Sequence, residues 1–436
     1  MAKSARVGLY LDPEIIVRNP GYLEALRDGI GLNWIILTFN GELPPEVLAH
    51  SPYDNIPPSP ERVRELIAHH LDGTPCTDDL GVALRSVGPH VSTSTPEKDA
   101  DMRRAIEMCH AAGLDVWFMA GMYTAHESLM FCPSNPENHA WYEAYYTHLA
   151  TAYGVEGIDI THARYPKTSL PGGIFLCGCR HCTQAASELG FDMAQMRGDI
   201  AHALARFKQL SPQQLNTIAN NAMGPLDLLH FTGLRPGLLD WFRFRAELIA
   251  RQMKRFHTLV HGVAGPNFIF GADTYPASLS LFAGHDQTRW GEFSDFASPL
   301  LSHVDAFPMK TFTAWAKQLQ TWFPQISEAE SLRLAYRLGG YADLKMPDNV
   351  ADFALGEPDA EYRNIPLRDI VRIDMAKAKL YLPENLPAYP IIQGGGAPWD
   401  WPLPIVQQLM SDALELGYDG YIFQGTRIIL DYDVKK

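Results

Sequence analysis

The chain has 436 residues, of which 46% are hydrophobic, and a formal net charge of −14. Such a composition supports a large packed core, while the acidic balance without any run of Lys or Arg excludes the basic surface that nucleic acid phosphates require. No apolar run approaches the ~18–20 residues of a membrane span, and the N-terminal MAKSARVGLYLDPE lacks an apolar leader, so a cytoplasmic protein with no membrane partner is expected.

In chain order, short apolar runs alternate with helical patterns. The first run is RVGLYLD (Arg6 to Asp12), followed by a helix over Tyr22–Ile30 and a second run, NWIILTFN (Asn33 to Asn40). A Pro-rich stretch follows, in which Ser59 and Pro60 read as the N-cap and first residue of a helix. DADMRRAIEMCHAAGL is helical and leads into DVWFMAGMY (Asp115 to Tyr123); a helix over Asn138–Tyr153 precedes GIDITHARYP (Gly157 to Pro166). Helices including LLDWFRFRAELIARQMKRFHTLV then lead to PNFIFGADTYP (Pro266 to Pro276), read as strand five, and VDAFPMKTF (Val304 to Phe312), read as strand six. YPIIQGG (Tyr389 to Gly395) is the seventh. DGYIFQG (Asp419 to Gly425) is the eighth, after a helix closed by Gly417 at its C′ position.

Buried parallel strands read as continuous apolar runs, so this alternation predicts an α/β fold, a (β/α)8 TIM barrel with helical and loop insertions. A doubly wound open sheet is the alternative, and the lack of a Gly-rich first turn weighs against it. One domain spanning 1–436 is expected, with insertions near 41–100, 167–262 and 314–386.

Four of the six cysteines form the pattern Cys132…Cys177-x-Cys179-x2-Cys182. Thiols this close suit a tetrahedral Zn²⁺ better than independent disulfides. A closed set of four sulfur ligands predicts a structural Zn²⁺. Cys76 and Cys109 remain as reduced thiols, in keeping with a reducing compartment.

The stretch FCPSNPENHAWYEAYYTHLATAYGVEGIDITHARYP…FLCGCRHCTQAASELGFD resembles glycoside-hydrolase-like barrels with a C-x-C-x2-C loop after the fourth strand. Its cysteine spacing is similar to that of the zinc-clipped β-galactosidases of family 42. The resemblance implies a carbohydrate substrate and a glycosidase activity. It departs from the family in two places. Thr161 stands where the G-I-D-L-D pattern has its second acid, and Gln393 stands where family 42 would place a Glu after strand seven.

A β/α barrel carries its site at the carboxyl ends of its strands. Glycoside hydrolysis needs two carboxyl groups flanking the scissile bond. Asp159 and Asp273, ending strands four and five, are the expected catalytic pair. Their alternative roles are an acid paired with Arg164 and a turn cap. Asp12, Asn40, Tyr123, His162, Arg164, Lys310, Gln393, Trp399 and Gln424 are the expected substrate-binding residues; Trp401 is a further stacking candidate in the same Gly/Pro loop as Trp399. Arg164 offers a planar fork for a carboxylate, and Lys310 offers a donor or base or else a surface charge. Two other readings stay open: a carbohydrate-binding barrel without hydrolysis, and a lyase or isomerase of an acidic sugar with Lys310 as base. The sequence leaves the oligomeric state undetermined, and a homo-oligomer is compatible with it.

Overall fold

A computed structural model describes residues 5–50, 94–122, 124–126, 129–130, 132–165, 170, 173–175, 177–221, 226–227, 230, 233–354, 365–395 and 400–435. Eight parallel strands follow one another in chain order: β1 (Arg6–Leu11), β2 (Trp34–Thr38), β3 (Asp115–Gly121), β4 (Gly157–Thr161), β5 (Ile269–Thr274), β6 (Ala297–Pro299), β7 (Ile391–Gln393) and β8 (Gly420–Gln424). Each pairs with its chain neighbour, and β1 pairs with β8. Parallel bridges from Ala297 to Ala388 and from Leu300 to Ile391 join β6 to β7. Tyr389 N donates to Ala297 O at 2.9 Å, sealing that seam. The predicted (β/α)8 barrel is therefore the observed fold.

Seven of the eight strands lie within the apolar runs read from the sequence. The sixth does not. Val304 to Phe312 is helical: a π-turn over Asp305–Met309 runs directly into the helix Lys310–Trp322. The true β6 is three residues long and precedes that run. A short apolar run cannot be assigned to strand or buried helix by periodicity alone. Lys310 consequently opens a helix and does not end a barrel strand.

Helices connect the strands. Between β4 and β5 lie Arg180–Glu188, Met193–Lys208, Pro212–Asn220 and Gly237–Ala264; between β6 and β7 lie Lys310–Trp322, Glu328–Gly339 and Leu367–Tyr381. Local chemistry sets their ends. Ser327 and Glu330 form a reciprocal capping box. Gly417, at φ 82°, follows the helix Leu403–Glu415 and provides the left-handed C′ residue expected there. The Ser59–Pro60 helix start lies outside the described residues.

The barrel floor is aromatic. Trp34 packs on Trp117 at 5.4 Å between ring centroids and edge-on to Tyr389 at 5.0 Å, while Trp117 meets Phe296 at 4.8 Å. The Arg6 guanidinium lies 4.7 Å from the Trp34 ring. Glycines make room for these rings. A Cβ on Gly8 would stand 2.5 Å from Trp34, and one on Gly271 would stand 2.5 Å from Phe296; on Gly157 it would meet Trp117 at 3.0 Å. Because strand side chains alternate faces, the residues two positions on also point inward: Tyr10, Asp159 and Asp273. The floor thus fixes the level at which the polar groups stand.

Overpacking a filled core costs about 1–3 kcal/mol. Gly8→Ala is expected to lower unfolding free energy by about that amount in denaturant melts. Gly121→Ala, whose added Cβ meets nothing within 4 Å, should stay within about 0.5 kcal/mol of the parent. Equal effects of the two substitutions would contradict the filled floor.

Candidate functional site

Asp159 leaves the middle of β4 toward the barrel axis, where the Tyr10 hydroxyl from β1 donates to its Oδ2 at 2.5 Å. Ser298 of β6 donates to its Oδ1 at 3.4 Å. Asp273 on β5 accepts from Thr161 Oγ1 at 2.7 Å. Its Oδ1 is buried and receives no hydrogen bond from any described residue. Both carboxyls are nearly closed to solvent, at 1% exposure for Asp159 and 2% for Asp273.

Two carboxyls at one depth have different surroundings. Burial pushes the Asp159 pKa well above the usual carboxylate range; the Asp273 charge adds to that, and the Tyr10 and Ser298 hydroxyls oppose it. Burial also raises Asp273, but Arg164, Thr161 and the His162 backbone pull it back. Tyr10 is raised by burial first and then by Asp159, so it remains a protonated donor. An acid held neutral beside one held closer to ionisation is the arrangement by which acid and base roles are divided.

The segment after β4 delivers the arginine. His162 adopts φ 66°, the left-handed region that non-glycine residues rarely occupy. Arg164 N then donates to His162 O at 2.6 Å, a tight reversal that turns the guanidinium back over the strand ends. There it lies 5.2 Å from the Tyr275 ring and 5.0 Å from the Phe307 ring. Burial lowers the Arg164 pKa, and the Asp273 charge offsets part of that. Of the two acids, Asp273 is the one whose charge acts on Arg164, raising its pKa against the effect of burial.

The other expected residues are placed as follows. Gln393 and Gln424, in register with Tyr10, face inward. Gln424 accepts from Ser302 Oγ at 2.6 Å and meets His303 Nε2 at 3.3 Å. His162 sits at the rim with Nδ1 3.3 Å from Thr161 Oγ1. Asn40 donates to Glu14 at 3.0 Å, away from the acids. Asp12 is exposed and precedes the helix Pro13–Arg18 without capping it through its side chain. Trp401 is buried in the core, so it offers no open stacking face. Tyr123 and Trp399 lie outside the described residues. Sequence reasoning missed Tyr10, Ser298, Ser302 and His303. Tyr10 was legible from its alternation with Gly8, whereas Ser298 was hidden by the misplaced sixth strand.

Cys132, Cys177, Cys179 and Cys182 converge as read from their spacing. All four are buried, none is disulfide-bonded, and their sulfurs lie within 4.8 Å of one another. Cys132 Sγ is 3.5 Å from Cys179 Sγ and 3.4 Å from Cys182 Sγ. Four thiolates around one tetrahedral ion at ~2.3 Å would stand about 3.8 Å apart, so the group can ligate a metal. Arg245 is buried against it, stacked 4.0 Å from the Tyr165 ring centroid, with Nε and Nη2 unpartnered among described residues. Burial lowers its pKa to about 10, and Tyr165, Cys182 and Cys177 counter the shift. A guanidinium here suits the net negative charge of a metal bound by four thiolates.

No known family's sequence profile matches the chain, and no curated protein matches it. The structure is similar to the glycoside hydrolase domain of PgaB (BpsB) from Bordetella bronchiseptica, with 11% identity, 98% of this chain and 94% of that chain covered, and a TM-score of 0.45. It is also similar to the catalytic domain of beta-amylase from Paenibacillus polymyxa, with 11% identity, coverage of 97% and 92%, and a TM-score of 0.41. Likenesses this distant carry no functional weight, and the resemblance to family 42 rests on the cysteine pattern alone. Among the described residues no helix is long and apolar enough to cross a membrane.

Raised carboxyl pKa values have a signed consequence. A folded-state pKa above the unfolded value of ~3.9 contributes stability that is fully present below that value and lost as pH rises through the folded pKa. Asp159→Asn should therefore be more stable than the parent at neutral pH, by on the order of 1 kcal/mol. The difference should shrink as pH falls toward ~3.9. Melting curves across pH check this, and a variant less stable at neutral pH would refute the strained-acid account.

Proposed function

We propose that this chain is a carbohydrate-active enzyme, a glycoside hydrolase in which Asp159 is the proton donor and Asp273 the ionised partner. The supporting observation is the pair itself. Acids from adjacent strands face one interior, one set among hydroxyls and the other beside a guanidinium.

In this reading Tyr10 and Ser298 orient the Asp159 carboxyl so that its proton points to a leaving glycosidic oxygen. Asp273, kept closer to ionisation by Arg164 and Thr161, attacks the anomeric carbon or activates water, and its unpartnered Oδ1 is the atom that does so. Gln393, Gln424, Ser302 and His303 supply donors and acceptors for sugar hydroxyls. Thr161 in place of a second acid is then a substitution that still serves the site, by bonding Asp273.

Aryl glycosides and oligosaccharides should show turnover that falls by ~10²–10⁴-fold in Asp159→Asn and in Asp273→Asn. The parent rate should decline as pH rises through the Asp159 pKa, because the donor must be protonated. Turnover unchanged in both variants would remove the pair from the mechanism. The near-complete burial of both acids favours a second reading, a sugar-binding barrel without hydrolysis. Calorimetric binding with no turnover across the panel would select it.

We also propose that the cysteine set holds a structural Zn²⁺, in a reducing compartment where its thiols stay available. The ion would tie the loop that follows β3 to the one that follows β4, bracing the segment that carries Arg164. Elemental analysis should find tightly held zinc that Cys132→Ser loses, with a lowered Tm in that variant. Zinc content equal to the parent's would rule the site out.

A further inference from the structure

At the other end of the barrel from the two acids, three side chains meet that the sequence reading did not single out. His257 and His261 stand one turn apart on the long helix Gly237–Ala264, their rings stacked with centroids 4.1 Å apart and 26° between planes. His257 Nε2 lies 3.1 Å from Asp295 Oδ1, and His261 Nε2 lies 2.9 Å from Asp295 Oδ2. Asp295 is itself pinned to the N-terminal edge of β5: its Oδ2 accepts from Phe270 N at 2.8 Å and its own N–H donates to Phe270 O at 2.9 Å.

We propose that His257, His261 and Asp295 form a second divalent-metal site, for a borderline ion such as Zn²⁺, Ni²⁺ or Cu²⁺. Histidines at i and i+4 present two nitrogens from one helix face to a common point. Ligands held ~2.0–2.2 Å from one ion stand roughly 2.9–3.5 Å apart, and the carboxylate and nitrogens lie 2.9 and 3.1 Å apart here. The one ligating atom each residue offers lies within 4.8 Å of the other two. The side chains are 22–26% exposed, so an aqueous ion can reach them. Two imidazoles and one carboxylate favour the later transition ions over Mg²⁺ or Ca²⁺. With each ring proton on Nδ1, both Nε2 lone pairs face the ion, and water completes its coordination. Such an ion would clip the long helix to the barrel wall. It lies away from Asp159 and Asp273, so the site is independent of the proposed hydrolase activity.

Calorimetric titration of the full chain with Ni²⁺, its cysteine site left intact, tests the assignment. One equivalent should bind to the parent, weakened at least tenfold in His257→Gln and in His261→Gln and lost in the double variant. Circular dichroism and metal-free melting should match the parent, since both histidines are partly exposed. Cu²⁺ added to the parent should show an electron paramagnetic resonance signal split by two imidazole nitrogens, a readout that needs no variant. Absence of saturable binding, parent-like affinity in the double variant, or a Cu²⁺ signal without imidazole nitrogens would overturn the proposal.

Discussion

The fit between small and large residues on the barrel floor sets everything above it. Gly8, Gly157 and Gly271 yield their side-chain volume to Trp34, Trp117 and Phe296. Each of these glycines lies two residues before a polar group of the site: Tyr10, Asp159 and Asp273. Strand periodicity makes that relation obligatory, because positions two apart share a face. A floor of rings below and polar groups directly above is how one barrel interior can be both a packed core and a chemical site.

Placing two acids on that floor is costly, since burial disfavours their charged forms. The structure resolves the cost unevenly. Asp159 is raised by burial, with the Asp273 charge adding to that, and the hydroxyls of Tyr10 and Ser298 offset only part of the rise. Asp273 faces Arg164, which favours an ionised carboxyl. Arg164 reaches that position only because His162 takes a left-handed conformation and folds the chain back. Residues held in the left-handed region cluster at active sites and ligand clamps.

The cysteine cluster lies just beyond this reversal. Tyr165 follows Arg164 directly and stacks with Arg245, which in turn borders the thiols. A metal held there would stiffen the loop that aims Arg164, linking a structural element to the electrostatics of the acids without taking part in them.

From the sequence alone, apolar runs separated by helical patterns determined the barrel, and cysteine spacing determined the thiol cluster. Both are local signals: continuous burial of a strand, and sulfurs a few residues apart. The inward direction of Asp159 and Asp273 follows from alternation with Gly157 and Gly271, although Asp159 stands in the middle of β4 and not at its end as the sequence suggested. What only the tertiary structure decided depends on contacts between distant segments. The sixth strand is three residues long, too short to leave a pattern, and the apolar run after it is helical because it packs as a buried helix. That shift moved Lys310 off a strand end and revealed Ser298. The reversal that places Arg164 needs a left-handed His162 that no residue pattern announces. His257 and His261 meet Asp295 only because the long helix docks beside β5, 38 and 34 residues back from the carboxylate they share.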